Sequence, residues 1–331
     1  MEFLKLHEQE RTEVFRQISD TINLNEVAVE KDWWVTAVLR ALFALPYSEH
    51  LSFKGGTSLS KCYNLIERFS EDIDIAYNRE KPDFTKTNTR IRNDLRRSTC
   101  EFVREELQFD VKKQLETDGI SSDLFTVKVD ITSVTTTDPE IIKISYQTLF
   151  PENPYIKPII KLEISGRSMS EPLQTVKLRS MLDEAYPNAP FAENAFAVNA
   201  VVPQRTFLEK ICLLHEEFAK PAEQMRTERQ SRHLYDLARM ADTSVAEEAL
   251  SDSQLFRSIV EHRRIFIGLK GFDYDSLAPQ TIVIVPPDNV IDQWKADYEV
   301  MRSTMIYGDS LPFNKLIGKI KELNERIRKA F

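Results

Sequence analysis

From Leu4 to Ala44 the apolar residues recur at helical spacing, with Val27, Val35, Val38, Leu39 and Leu42 marking a buried face and Trp33 and Trp34 packing there. Leu51-Ser52-Phe53 then gives a short apolar piece. The pair Gly55-Gly56 follows, and Leu59, Cys62, Tyr63, Ile66 and Phe69 return at intervals of three to four, which predicts strand, tight turn, helix. Ile73, Ile75 and Tyr77 alternate with Asp72, Asp74 and Ala76, the period of a strand that carries its carboxylates on one face. After Pro82 a charged stretch with helical periodicity runs to about Leu115. Leu124 to Thr132, Ile141 to Leu149 and Ile159 to Ser165 alternate and are rich in Val, Ile and Thr, so they predict strands, the last two separated by Pro151, Pro154 and Pro158. Beyond Pro203 the spacing is helical again, through Phe207, Leu208, Ile211, Leu214 and Phe218, then Leu234, Leu237, Ala238 and Ala241. A short apolar run from Thr281 to Val285 stops at Pro286-Pro287. The last helix bears a stripe of Leu316, Ile320, Leu323 and Ile327.

Composition narrows the class. The chain has 331 residues, 42% hydrophobic and 29% charged, which suits an ordinary globular protein of one large or two modest domains. Three cysteines, Cys62, Cys100 and Cys212, are widely spaced without a C-x-x-C pair, so neither a disulfide framework nor a zinc site is indicated and a reducing cytoplasm is the expected compartment. No stretch approaches the ~18 uncharged apolar residues of a membrane span, and the first residues lack a signal-peptide core. No membrane partner is expected. A net charge of -8 argues against a non-specific nucleic-acid coat but leaves room for a local basic groove. Arg79 to Arg97 holds seven Lys/Arg against three Asp/Glu, and Asn314 to Phe331 six against two; each reads as a path for RNA phosphates or equally as a solvated helix face.

The chemistry concentrates in Lys54-Gly55-Gly56-Thr57-Ser58-Leu59 and Arg68-Phe69-Ser70-Glu71-Asp72-Ile73-Asp74-Ile75. A strand, two glycines, hydroxyls and a helix start offer backbone N–H groups to a phosphate with no Cβ in the way. Asp72 and Asp74 point the same way, and two close carboxylates stay ionised cheaply only beside a cation. Mg²⁺ with nucleotide phosphates meets that need, since it takes oxygen ligands and is commonly held by one or two carboxylates plus substrate. An isolated Asp-x-Asp is weak, because strand ends, glycosyltransferases and haloacid-dehalogenase-type phosphatases also show it. Glu71 and Ala76 do not fit the phosphatase pattern, and Gly55 to Lys61 lacks the spacing of a Walker A loop. Glu163 faces opposite to Leu162 and Ile164 on its strand, and reads either as a third carboxylate or as a partner of Lys161.

These residues resemble the DNA polymerase β-type nucleotidyltransferase superfamily and, more closely, the AbiEii/AbiGii family of bacterial toxin nucleotidyltransferases. Further segments similar to the family are Glu30-Lys31-Asp32, Lys161 to Ile164, Gly166-Arg167-Ser168 with Glu171-Pro172, Arg205 to Lys210, Arg232 to Asp236, and Asp297-Tyr298 with Met301. The resemblance implies an α/β (α+β) fold: a polymerase β-like mixed sheet with flanking helices over residues 1–200, and a mainly helical C-terminal domain over 201–331 completing the active-site cleft. It implies that Gly55, Gly56, Thr57, Ser58 and Arg68 bind the nucleotide, and that Asp72, Asp74 and Glu163 hold Mg²⁺, or Mn²⁺ in its place. Lys210 would balance phosphate charge and Asp236 would orient Lys210 or the acceptor hydroxyl. By composition alone Lys210 reads as solvated and Asp236 as an i,i+4 pair with Arg232, though Arg229, Arg232, His233 and Asp236 share a face opposite Leu234, Leu237 and Ala241. His233 reads as a hydrogen-bonding partner and not a base. The implied reaction moves NMP from an NTP to an acceptor hydroxyl, the 3′ end of tRNA or another RNA, and the implied partner is a cognate antitoxin of winged-helix type. A nucleotide-binding module without transfer and a metal-dependent phosphohydrolase are the alternatives.

Overall fold

The computed structural model describes residues 1–70, 72–79, 81–131, 137–153 and 156–330. Glu71, Glu80, Thr132, Pro154 and Phe331, which belong to segments named above, lie outside them. The chain divides into two compact units: Met1–Cys62 with Phe69–Val201, and Tyr63–Arg68 with Val202–Phe331. Among the described residues no helix is long and apolar enough to cross a membrane.

The first unit is a mixed sheet with helices. In chain order it contains α1 (Glu8–Ile22), α2 (Glu26–Phe43), β1 (Leu51–Lys54), α3 (Gly55–Lys61), β2 (Asp72–Tyr77), α4 (Asn88–Phe102), α5 (Gln108–Thr117), β3 (Phe125–Val129), β4 (Glu140–Tyr146), β5 (Ile159–Ser165), β6 (Leu173–Leu178), α6 (Met181–Ala185) and β7 (Phe196–Val201). The strand order is β3-β4-β5-β2-β1-β7-β6. β2 lies parallel to β5 and antiparallel to β1, and β1 is parallel to β7. The remaining neighbours pair antiparallel.

α2 explains the packing of this unit. Asn25 caps it by accepting the Val27 N–H at 3.0 Å, and the helix is buried almost all round, which suits a central helix whose apolar residues exceed one stripe. Trp34 stacks on Tyr146 with ring centroids 4.9 Å apart, and Trp33 meets Trp34 edge to face at 5.2 Å. The polar triplet in its middle is buried too, and each member has a partner. Glu30 accepts from Thr148 Oγ1 and the Leu149 N–H, Lys31 donates to the Lys157 carbonyl at 2.9 Å, and Asp32 pairs with Lys61 and accepts the Met181 N–H. Buried charges persist where such partners offset the loss of water.

Three departures from the sequence pattern matter. The helix expected to continue to Phe69 ends at Lys61; Asn64 takes a positive φ of 49°, which stops a right-handed helix, and Tyr63–Arg68 joins the second unit. Ile66 and Phe69 are buried, but not as members of that helix. β6 and β7 carry no clear alternation: β6 is exposed along most of its length, and β7 uses the small or polar Ala197, Asn199 and Ala200. The strand expected over Ile141 to Leu149 ends at Tyr146, after which the chain turns to serve Glu30.

The second unit is helical: α7 (Pro203–Phe218), α8 (Ser231–Met240), α9 (Ser244–Ser251), α10 (Ser253–His262), α11 (Ile291–Thr304) and α12 (Phe313–Lys329). Pro203 opens α7 at a position where its missing N–H costs nothing. Asp297 on α11 caps α8, accepting the Ser231 N–H and Oγ–H through Oδ2 and the Arg229 N–H through Oδ1, a carboxylate at the positive helix end. The run Thr281 to Val285 forms no strand; Asn324 on α12 holds it by accepting the Ile284 N–H at 2.8 Å and donating to the Ile282 carbonyl at 3.0 Å.

Candidate active site

β1 leads straight into α3 through Lys54, whose backbone is fully extended, and Gly55, whose φ is +79°. A Cβ at Gly55 would lie 2.0 Å from Asp74 Oδ2. Glycine is thus required twice, for its backbone conformation and for the close approach of a carboxylate. Thr57 and Ser58 are buried, and their hydroxyls face inward: Thr57 Oγ1 donates to the Asp72 carbonyl and lies 2.9 Å from Ser70 Oγ, while Ser58 Oγ donates to the Gly55 carbonyl at 3.0 Å. They brace the turn against β2. Gly55 and Gly56 remain partly accessible, so backbone is what the turn presents outward.

The register arranges the carboxylates. Asp74 is the partner of Glu163 on β5 and of Lys54 on β1, and Asp72 is the partner of Lys161. Paired residues on neighbouring strands share a face at spacings of about 5 Å. Asp72, Asp74 and Glu163 therefore lie on one face, all partly accessible, with Ile73, Ile75, Leu162 and Ile164 buried on the other. Lys161 is opposite Asp72, and Glu163 has Asp74 as its strand neighbour. Among the described residues no three His, Cys, Asp or Glu side chains converge tightly enough to enclose a metal by themselves. The set is all hard oxygen, open on one side and next to the glycine turn. It fits an ion such as Mg²⁺ that takes one or two carboxylates and fills its other positions from substrate and water.

In the second unit Asp236 is fully buried on α8, with Arg68 at 3% exposure and Lys210 of α7 at 7%. Arg68 Nε and Nη2 donate to the two Asp236 oxygens at 2.7 and 2.8 Å, a bidentate pair, and Lys210 Nζ lies 2.9 Å from Oδ2. His233, one turn before Asp236, has Nδ1 3.4 Å from Lys210 Nζ. A ring that accepts there from the ammonium is neutral and carries its proton on Nε2. Burial, reinforced by Lys210 and Arg232, holds the His233 imidazole well below its ordinary range. Burial also lowers Lys210, with Asp236 opposing it. Burial alone would raise the Asp236 carboxyl, but Arg68 and then Lys210 outweigh it and hold the group well below the usual carboxylate range.

The sequence-selected residues therefore fall in two sets. Gly55, Gly56, Thr57, Ser58, Asp72, Asp74 and Glu163 gather in the first unit; Arg68, Lys210 and Asp236 gather in the second. Within its unit Arg68 is engaged by Asp236. The polar face of α8 is not a solvated one, since Asp236 and His233 are buried in it. Arg68 as the chief partner of Asp236 is not legible in the sequence, because 168 residues separate them. A cavity of about 400 Å³ in this unit is lined by Tyr235, Arg239, Tyr298, Ser310 and Lys319 among others, and Arg68, Lys210 and Asp236 do not line it.

The model of the family of nucleotidyl transferase AbiEii toxins of type IV toxin–antitoxin systems matches residues 37–325. The chain belongs to this AbiEii family. The match spans both units, and the chain is a nucleotidyltransferase of a toxin family whose members act with an antitoxin. Among solved structures, JHP933 of Helicobacter pylori is similar at 16% identity, covering 92% of this chain and 94% of that one with a TM-score of 0.46. A candidate nucleotidyltransferase of H. pylori gives 16% identity, coverage of 92% and 96%, and a TM-score of 0.46. No curated protein matches the chain. The α+β class, a mixed sheet with helices in one unit and helices alone in the other, is the architecture expected of an AbiEii protein.

Proposed function

We propose that this AbiEii protein transfers a nucleoside monophosphate from an NTP to a hydroxyl at the end of an RNA acceptor, tRNA being the first to test, in a Mg²⁺-dependent reaction. The observation that carries the reading is the register that sets Asp72, Asp74 and Glu163 on one face beside a turn that Asp74 itself closes on Gly55. In the transfer the acceptor oxygen bonds to the α-phosphorus, the bridge to the β-phosphate breaks, and pyrophosphate leaves with the electron pair. Backbone N–H groups at Gly55 and Gly56 take phosphate oxygens, with Thr57 and Ser58 fixing the turn from behind. Asp72, Asp74 and Glu163 hold Mg²⁺, or Mn²⁺ in its place, which when bound neutralises the triphosphate and makes the acceptor hydroxyl more acidic. Lys210 supplies a cation for phosphate charge, and Asp236 fixes its direction. The compartment is the cytoplasm, where NTP and RNA meet, and the antitoxin is a small winged-helix regulator encoded beside it.

The test is α-labelled NTP with total cellular RNA on a denaturing gel, with and without EDTA. Label on discrete RNA bands that EDTA abolishes is the expected result. Release of NDP without labelled RNA would replace transfer by hydrolysis, and label on protein would remove RNA as acceptor.

A further inference from the structure

α3 is seven residues long and carries one apolar side chain, Leu59, which is fully buried. Burying one leucine holds the helix down, but the hydrophobic effect has no direction and does not fix the way the helix points. Its polar side chains divide by where their bonds go. Ser58 Oγ and Ser60 Oγ donate to the carbonyls of Gly55 and Thr57, both at 3.0 Å, and so bond within the helix itself. Among the described residues, the side-chain bonds that leave α3 are those of Thr57, to Ser70 Oγ and the Asp72 carbonyl, and that of Lys61, whose Nζ donates to Asp32 Oδ1 on α2.

Thr57 ties the helix to β2 near its start, and a body tied at one point still pivots. Lys61 lies roughly 6 Å further along the axis, so its bond to Asp32 acts on the other end as a lever. The tolerance at the start of α3 is small, because a Cβ on Gly55 would already lie 2.0 Å from Asp74 Oδ2. A pivot about Thr57 would carry Gly55 across that carboxylate. Asp32 is a fixed post against such a pivot. It stands on a helix buried almost all round, its side chain is 5% exposed and that of Lys61 9%, and its second oxygen accepts the Met181 N–H of α6 at 2.8 Å. With donors from two elements and little water to compete, the carboxylate keeps one geometry. Stability alone does not call for such a pair, since apolar side chains of similar volume commonly serve a buried position as well.

We infer that Asp32 and Lys61 are positioning residues for nucleotide binding: their ion pair sets the angle of α3, and with it the place of the Gly55–Gly56 backbone beside Asp74. This holds on the reading above, that the glycine turn takes the triphosphate; the pair acts through α3 and touches neither nucleotide nor metal.

The test titrates the full chain with ATP, CTP, GTP and UTP in turn, each with Mg²⁺, by calorimetry, alongside thermal melts and label transfer. Asp32→Asn presents one acceptor oxygen where the Lys61 ammonium and the Met181 N–H both donate. It should weaken binding of whichever NTP the parent takes by about tenfold or more, the scale of a lost hydrogen bond to a charged group. Glu30→Gln is the matched control, the same change of acid to amide on the same helix, at a carboxylate that serves Thr148 and Leu149 and not α3. It should lower the melting temperature and leave NTP affinity at the parent value. Asp32→Asn/Lys61→Met strands no charge and leaves the Asn carbonyl to Met181. It should regain most of the melting temperature that Asp32→Asn loses, yet bind NTP as weakly. Equal losses of NTP affinity in Glu30→Gln and Asp32→Asn would reduce the pair to general support of α2 and overturn the inference, and so would a double variant that binds NTP as the parent does. A parent that binds none of the nucleotides would overturn it together with the reading of the glycine turn. NTP binding that Asp32→Asn and the double variant weaken, in a protein that transfers no label to RNA, would keep the positioning pair and refute the transfer.

Discussion

Asp236→Asn keeps the shape of the side chain and removes the charge that Arg68 and Lys210 share. Both cations are nearly dry, so after the substitution they face each other across a neutral amide. Removing one partner from a buried ion pair costs about 3–5 kcal/mol, and two stranded cations place this case toward the upper end. At a few degrees per kcal/mol for a unit of this size, the melting temperature should fall by roughly 10–20 °C. Lys210→Met should behave in the opposite way. Burial lowers the Lys210 pKa against the pull of Asp236, so desolvation offsets much of what its charge contributes, and removing it should cost far less stability than removing Asp236. Asp236 would keep both hydrogen bonds from Arg68. Transfer should nevertheless drop at least about a hundredfold, the scale of losing one preorganised charge at a reacting phosphate. Thermal melts and label transfer on the two variants check this. Asp236→Asn within about 1 kcal/mol of the parent, or Lys210→Met as unstable as Asp236→Asn, would refute the account. A triple replacement, Arg68→Met with Lys210→Met and Asp236→Leu, should recover most of the stability and none of the activity.

Asp72→Asn and Asp74→Asn should each abolish Mg²⁺-dependent transfer while the melting temperature stays within a few degrees, because both side chains are partly accessible; retained transfer in either variant would remove it from the metal set. Gly55→Ala should cost about 1–2 kcal/mol for its left-handed backbone. Its methyl would also displace the Asp74 carboxylate, so activity should fall far more than stability, and a fully active variant would show that Asp74 need not stay where it is. His233 should show no titration between pH 5.5 and 8 in NMR spectra of the native chain. Its folded pKa lies below the unfolded value of about 6.5, so the stability it contributes is complete above that value and declines as pH falls below it, by up to about 1.4 kcal/mol per pH unit. An imidazole resonance titrating near 6.5 and assigned to His233 would contradict the buried neutral ring.

Local patterns made β2, β5 and the helices of the second unit legible, since alternation and three-to-four spacing are properties of the chain near each residue. The face of β2 that carries Asp72 and Asp74 follows from parity alone. What parity cannot give is register: that Asp74, and not Asp72, lies beside Glu163 depends on how β5 aligns with β2, about 90 residues away in a parallel pairing. Tyr63–Arg68 departs from its helical pattern for a related reason. Ile66 keeps a helical interval from Cys62 and is fully buried, yet apolar spacing does not say which of two cores does the burying. Glu30, Lys31 and Asp32 enter the sequence reading only as a segment similar to the family, and nothing local to them signals burial. They are buried because Thr148, Leu149, Lys157, Lys61 and Met181 arrive from elsewhere to satisfy them.

The total charge of -8 is a poor guide to what this protein handles, because its charges are sorted locally. Asp72, Asp74 and Glu163 crowd one sheet face, which favours a divalent cation there. In the second unit Arg68 and Lys210 both bond to the Asp236 carboxylate. A fold selected for stability alone would do better with apolar residues at the buried positions, since a buried ion set rarely repays its desolvation. Under the proposed transfer, the carboxylate face is the place for a divalent cation and Lys210 the place for phosphate charge. That correspondence also sets the order of experiments. A neutral replacement at Lys210 leaves Asp236 its two bonds from Arg68 and gives up one contact with His233, so loss of function with largely retained stability there identifies the charge as functional, whereas Asp236 cannot give that answer by itself.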